Sequence, residues 1–176
     1  MLRTLLKFHG LIARSWALSW CLYRLHGIRL IGPPREEIWY FAYGANMDVA
    51  AMASRCPRSK PLGPARLMRH RLTAMREGWL NVTRDPHSRV HGILWDVALA
   101  DVAALDRYEG VREGLYVKRL QAVVADAGAK QALVYFGANT GPGILRADYL
   151  EAVIAAARQW RLPAEALASL ATFSRR

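Results

Sequence analysis

One stretch constrains this chain more than any other: Tyr40-Phe41-Ala42-Tyr43-Gly44-Ala45-Asn46-Met47. Ile38, Trp39, Tyr40 and Phe41 are β-branched or aromatic, the residue types that fit a buried strand. Beyond them, Asn46 or Asp48 is placed to cap a helix running through Val49, Ala50, Ala51, Met52 and Ala53. Gly44 stands where strand gives way to helix, and without a Cβ it lets backbone approach a ligand closely. The free N–H groups of a helix start favour anions. A strand, a tight glycine turn and an anion-receptive helix start therefore follow one another. Many such turns are purely structural, so the stretch by itself assigns no chemistry.

The 176 residues fit one domain with an appendage, and 53% hydrophobic with 10% aromatic residues excludes wholesale disorder. The net charge of +11 suits nucleic acid, an anionic membrane surface or an acidic ligand. It equally suits an Arg- and Ala-rich chain from a GC-rich bacterial genome. Cys21 and Cys56 share no metal or redox spacing and read as free thiols in a reducing cytosol. A cytoplasmic protein is expected.

Residues 1–36 differ from the rest and read as a basic amphipathic extension to a domain spanning 37–176. Arg3, Lys7 and Arg14 align on one side of a helical wheel, opposite a broad apolar face. Arg14 and Arg24 interrupt the apolar run, so a transmembrane span is not available there. Three readings stay open: an amphipathic helix on the inner face of an anionic membrane, a helix docked on the domain or on the second subunit of a homodimer, or a mis-assigned start. Gly32-Pro33-Pro34 reads as the linker.

After the opening strand and turn, a short helix is expected from Asp48 to Arg55, then a loop through Pro57, Pro61, Gly63 and Pro64. Between Arg55 and Arg76 lie seven basic residues and no acid. Ala65, Leu67, Met68, Leu72 and Met75 interleave with them, which favours a solvated strand face over a nucleic-acid patch. Trp79–Thr83 and Val90–Val97 read as strands separated by a turn at Asp85-Pro86-His87-Ser88. Asp85, His87 and His91 match no recognised metal spacing, and no metal site is expected. A helix from Ala98 to Asp106 stops at Gly110; strands follow at Leu115–Val124 and Gln131–Phe136, joined by Asp126-Ala127-Gly128. A glycine-rich loop (137–143) leads to a helix over Arg146–Trp160, broken by Leu162-Pro163, and a last helix over Ala164–Thr172.

Two segments now stand together: Tyr43-Gly44-Ala45-Asn46, and Leu105-Asp106-Arg107-Tyr108-Glu109-Gly110-Val111 with Gly114, Tyr116 and Val117 after it. The pair resembles the γ-glutamylcyclotransferase family, with its Tyr-Gly-Ser-Asn type turn after the first strand and Glu-Gly-Val segment after a later helix. Val90-His91-Gly92-Ile93-Leu94-Trp95 is similar to the family's Val-X-Gly-X-X-Trp strand, and Leu162-Pro163 is similar too. The resemblance covers roughly residues 37–165. Ala45 departs from it where the family often has Ser, removing one hydroxyl but keeping the backbone N–H. The resemblance implies an α+β fold, a small mixed β-barrel with flanking helices. It also implies a reaction of γ-glutamyl peptide and glutathione metabolism. The free α-amine of a γ-glutamyl group attacks its own γ-carbonyl, forming 5-oxoproline and releasing an amino acid or amine.

That cyclisation carries its nucleophile in the substrate and needs no cofactor. It does need a base to take a proton from the amine and return it to the leaving nitrogen. Glu109, followed by an open glycine, is the candidate; outside its motif it would read as a capping carboxylate. Backbone N–H groups at Tyr43, Gly44 and Ala45 suit the substrate carboxylate and oxyanion. The resemblance carries ligand binding onto Tyr40, Phe41, Ala42, Tyr43, Gly44, Ala45 and Asn46 and onto Tyr149, with Tyr116 in the same pocket. Two relatives of this reading stay open: the same chemistry on a γ-glutamylamine or a γ-glutamyl-protected biosynthetic intermediate, and a small-molecule binding module of the same fold without turnover. Nucleic-acid binding ranks low, for want of stacking aromatics or a groove-reading helix.

Overall fold

A computed structural model describes residues 38–174. The expectations for residues 1–36 lie outside the described residues. Five strands close into a barrel in the order β1-β3-β2-β4-β5. They are β1 (Ile38–Ala42), β2 (Lys60–Ala74), β3 (Leu80–Val97), β4 (Tyr116–Ala125) and β5 (Gly128–Gly137). All neighbours are antiparallel except β1 and β5, which shut the barrel in parallel at Tyr40 opposite Leu133. Around it lie α1 (Val49–Arg55), α2 (Leu99–Tyr108), α3 (Ala147–Gln159) and α4 (Ala164–Ala171). This is the small mixed barrel with flanking helices that the motifs imply. No helix among the described residues is long and apolar enough to cross a membrane.

The core joins barrel side chains such as Phe41, Leu67, Ile93 and Val134 to Met52, Leu105 and Val153 from three of the helices. On α3, Leu150, Val153 and Ala157 are buried at helical spacing, so one stripe faces the barrel. At its end the Trp160 indole donates to the Met47 carbonyl at 2.7 Å and ties α3 to the opening turn. Asp48, not Asn46, caps α1: its carboxylate accepts the Ala51 N–H at 2.6 Å. Asn46 is left free for other work.

Two expectations are corrected. The turn at Asp85–Ser88 does not separate two strands, because β3 runs unbroken from Leu80 to Val97. The turn chemistry is nevertheless there: Asp85 accepts the His87 N–H at 3.1 Å and the Ser88 hydroxyl at 2.8 Å. Residues 85–88 bulge out opposite Arg69, while pairing resumes on both sides at His70–Arg84 and Met68–Arg89. Arg69 absorbs the mismatch with a left-handed φ of 59°. The loop expected through Pro64 is shorter, because Lys60–Pro64 already pair with β3. Only Ala65–Leu67 of β2 pair with β4, so Pro61 and Pro64 lie on a free edge where a missing N–H costs no ladder bond. The basic run is mostly the solvated face its pattern suggests: Arg58, Lys60, Arg66, Arg69, Arg71 and Arg76 are exposed between buried Ala65, Leu67 and Met75. Met68 is exposed as well, and Arg55 behaves differently.

Gly92 explains why the Val90–Trp95 strand requires a glycine. A Cβ there would lie 2.2 Å from the Ala42 carbonyl oxygen and 2.8 Å from the Phe41 ring. The missing side chain is what lets β1 lie close on β3 just before the turn. Gly92→Ala is expected to destabilise the domain by about 3 kcal/mol through overpacking. A urea or thermal melt checks this; a melt unchanged from the wild type would show that β1 has room to move.

Candidate active site

The Glu109 carboxyl is delivered by the way α2 ends. Gly110 takes a φ of +61°, its N–H reaches the Arg107 carbonyl at 3.2 Å, and the Val111 N–H reaches that of Asp106 at 3.0 Å. These two bonds make a Schellman stop, with Glu109 as its last right-handed residue. The Glu-Gly-Val segment is therefore a helix terminator that holds one carboxylate at a set angle.

Three elements converge on that carboxylate. Asn46 Nδ2 donates to Glu109 Oε1 at 2.8 Å and lies 2.9 Å from the Tyr40 hydroxyl. The Tyr40 hydroxyl in turn donates to the same Oε1 at 3.4 Å. Arg55 Nη1 donates to Asn46 Oδ1 from behind. No hydrogen bond to Glu109 Oε2 forms among the described residues. Burial pushes the Glu109 carboxyl up from its ordinary 4.5 to about 7, against the opposing pull of Tyr40, Arg55 and Asn46. A carboxylate poised there both accepts and releases protons near neutral pH.

The carboxyl opens into a pocket of about 190 Å³ lined chiefly by aromatic residues. Of the residues expected there, Tyr40, Tyr43, Gly44, Ala45, Asn46, Glu109, Tyr116 and Tyr149 all line it. Phe41 and Ala42 do not. Both are fully buried in the core, and Phe41 packs against Gly92. The phenols are locked by their own bonds: Tyr43 donates to the Tyr135 carbonyl and Tyr116 to the Leu80 carbonyl, each at 2.6 Å. Burial raises the pKa of Tyr40, Tyr43, Tyr116, Tyr135 and Tyr149, so they remain neutral.

The glycine turn forms one wall. Met47 and Asp48 give their N–H groups to the carbonyls of Gly44 and Ala45 at 2.9 and 3.1 Å, a single 3-10 turn at Ala45–Met47. Among the described residues the Gly44 and Ala45 N–H groups take no backbone acceptor in the turn, and the Ala45 backbone instead meets the Tyr149 hydroxyl. The Tyr149 hydroxyl lies over Gly44, so close that a Cβ there would sit 2.6 Å from it. Trp79 meets Tyr149 edge-on at 5.1 Å and extends the aromatic wall.

Sequence reasoning missed Arg55, Trp79, Leu80, Tyr108, Leu115 and Tyr135. Tyr135 lay within an expected strand, and the alternation there marks only which face it takes. Arg55 had a signal: it ends the helix that begins just past Asn46. A larger open groove of about 500 Å³ runs between the β2–β3 bulge and α4. It holds the Arg89–Glu165 pair at 2.9 Å and His91 against Glu165 at 2.6 Å. Of the residues that line the Glu109 pocket, it shares only Tyr43.

Comparison with known proteins agrees with this fold. The chain is 29% identical to human gamma-glutamylcyclotransferase over 96 residues, 49% of this chain and 51% of the relative. It is 30% identical to the mouse protein over a stretch of the same length and coverage. The chain thus spans about half the length of the curated relatives it matches. A solved gamma-glutamyl cyclotransferase structure superposes with a TM-score of 0.73 at 23% identity, covering 78% of this chain and 88% of that one, which shows the shared fold. Residues 40–161 match the family model described as gamma-glutamyl cyclotransferase, AIG2-like, and the match begins at Tyr40, beside the turn, and runs through Glu109 and past Tyr149. With that span matched, this chain belongs to the gamma-glutamyl cyclotransferase, AIG2-like family.

Proposed function

We propose that this chain converts a γ-glutamyl amide to 5-oxoproline and a free amine or amino acid, with Glu109 as the single acid–base group. The observation that carries the reading is the carboxyl of Glu109, buried among neutral phenols and held by Asn46 and Tyr40 on one oxygen only. Ionised Glu109 takes a proton from the substrate ammonium on Oε2. The freed α-amine attacks the γ-carbonyl carbon, a C–N bond forms, and the carbonyl becomes an oxyanion. The Gly44 and Ala45 N–H groups support that charge or the substrate α-carboxylate. Glu109 returns the proton to the leaving nitrogen as the original C–N bond breaks and the carbonyl re-forms. The ring nitrogen then gives its second proton to the freed Glu109 carboxylate, leaving the lactam N–H. Positioning supplies much of the rate, because amine and carbonyl belong to one molecule.

The lining favours one leaving group over another. No Lys or Arg lines the pocket among the described residues; Trp79, Leu115 and Tyr108 face that space instead. A γ-glutamyl amino acid would bring a second carboxylate to a wall without a cation, whereas a γ-glutamylamine brings none. The amine-releasing form of the reaction is thereby the better fit.

Glu109→Gln is expected to reduce 5-oxoproline release by about 10³-fold, within the range for a lost acid–base group. The wild-type rate should fall as pH drops through about 7, because protonation removes the base. Full activity in the variant would remove Glu109 from the mechanism. The same substitution should stabilise the fold. A carboxyl raised from 4.5 to about 7 weakens folding progressively as pH rises through that window, since the unfolded chain ionises first. Melts of Glu109→Gln and wild type should coincide near pH 4 and differ by about 3 kcal/mol near pH 8.

Across a panel of γ-glutamylamines, γ-glutamyl-amino acids and glutathione, the amines should show kcat/KM about tenfold or more higher. Equal values would show that the second carboxylate finds a partner.

A further inference from the structure

We propose that Arg55 is the positioning residue for the Glu109 carboxyl: it locks the Asn46 side-chain amide so that the NH2 end faces Glu109 and Oε2 is left open toward the pocket. This rests on the cyclotransferase reading above.

Arg55 stands apart from the other six basic residues of its run, which are exposed. It ends α1, is half-buried, and its guanidinium carbon lies 3.6 Å from the centre of the Tyr108 ring, next to Glu109 in the chain. Among the described residues it makes no ion pair. A partly buried guanidinium needs compensation, and here the Tyr108 ring face and the Asn46 oxygen supply it. The consequence follows from donor chemistry. A guanidinium has five N–H donors and no acceptor. Asn46 must therefore turn Oδ1 to Arg55, which sends Nδ2 to Glu109 Oε1 and the Tyr40 hydroxyl. With the amide reversed, its NH2 would meet the guanidinium donors and its oxygen would meet the carboxylate.

The same charge opposes the burial that raises the Glu109 pKa. The other titratable groups facing Glu109 are Tyr40 and Tyr43 from β1 and its turn, Tyr116 from β4, Tyr135 from β5, Tyr149 from α3 and its neighbour Tyr108. Asp106 stands one step back, accepting the Tyr135 hydroxyl at 2.7 Å. Among the causes acting on Glu109, Arg55 is the formal charge, and it favours the ionised base.

The test uses the full chain and the variants Arg55→Ala, Arg55→Gln and Arg55→Lys, with Arg58→Ala as an exposed control. Two readouts are taken: 5-oxoproline kinetics against pH, and direct titration of Glu109 by NMR of carboxyl-labelled glutamate. Arg55→Ala should lower kcat about 10- to 100-fold with KM within about threefold, and move the Glu109 midpoint to higher pH. Arg55→Lys should bring the midpoint back toward the wild type while recovering kcat only in part, since an ammonium keeps the charge without the planar fork. Arg58→Ala should change neither. A folded Arg55→Ala protein with wild-type kcat and midpoint would overturn the proposal. If that variant does not fold, Arg55→Gln decides: a raised midpoint supports the proposal and an unchanged one overturns it. A wild type that releases no 5-oxoproline from any γ-glutamyl compound would overturn the cyclotransferase reading, and the NMR midpoint would still decide the role of Arg55.

Discussion

The site turns on an amide used at both ends. The Asn46 oxygen faces a guanidinium and its nitrogen faces a carboxylate and a phenol. The buried carboxylate is thus connected to a cation without touching it. A direct Arg–Glu contact would hold the carboxyl well below neutral and leave it a poor base. No contact at all would leave burial unopposed. Burial lifts the carboxyl while the Tyr40 hydroxyl, the Arg55 charge and the Asn46 amide pull against it, which leaves it at about 7 inside an aromatic pocket.

Everything around the amide serves to bring three distant pieces of chain to it. Closure of the barrel sets Tyr40 beside Tyr135, edge-on at 5.6 Å. The Schellman stop of α2 directs Glu109 inward, and the Asp48 cap starts α1 so that its last residue, Arg55, returns to Asn46. The Trp160 indole anchors the turn from α3. The close approach at Gly92 lets the first strand lie deep enough for its end to reach the pocket.

Much of this was legible in the residues. Hydrophobic period and turn chemistry located the helices and strands between Ile38 and Ala171, apart from splitting β3 in two and starting β2 late, because each element carries its own local signal. Glu109 was legible only through its neighbours, since a lone glutamate at a helix end reads as a cap. What stayed hidden depended on pairing over distance. Asp85–Ser88 has the composition of a turn, and only the partner strand shows that the ladder continues beyond it. Asn46 and Asp48 were equal candidates as caps, and the choice between them is what frees the amide. Arg55 was submerged among seven basic residues whose other six face solvent. Phe41 and Ala42 adjoin the pocket-lining residues in sequence, yet belong to the core.

The hydroxyl of Tyr149 above Gly44 leaves less than one methyl group of clearance over that glycine. Floor and roof come from segments over a hundred residues apart, yet neither can grow without the other yielding. Any side chain at position 44 would have to turn the phenol away, and the phenol meets Trp79, so the outer wall would move with it. The turn can therefore change little. Variation in what the pocket admits has to come from the roof and the wall, at Tyr149, Trp79 and Leu115.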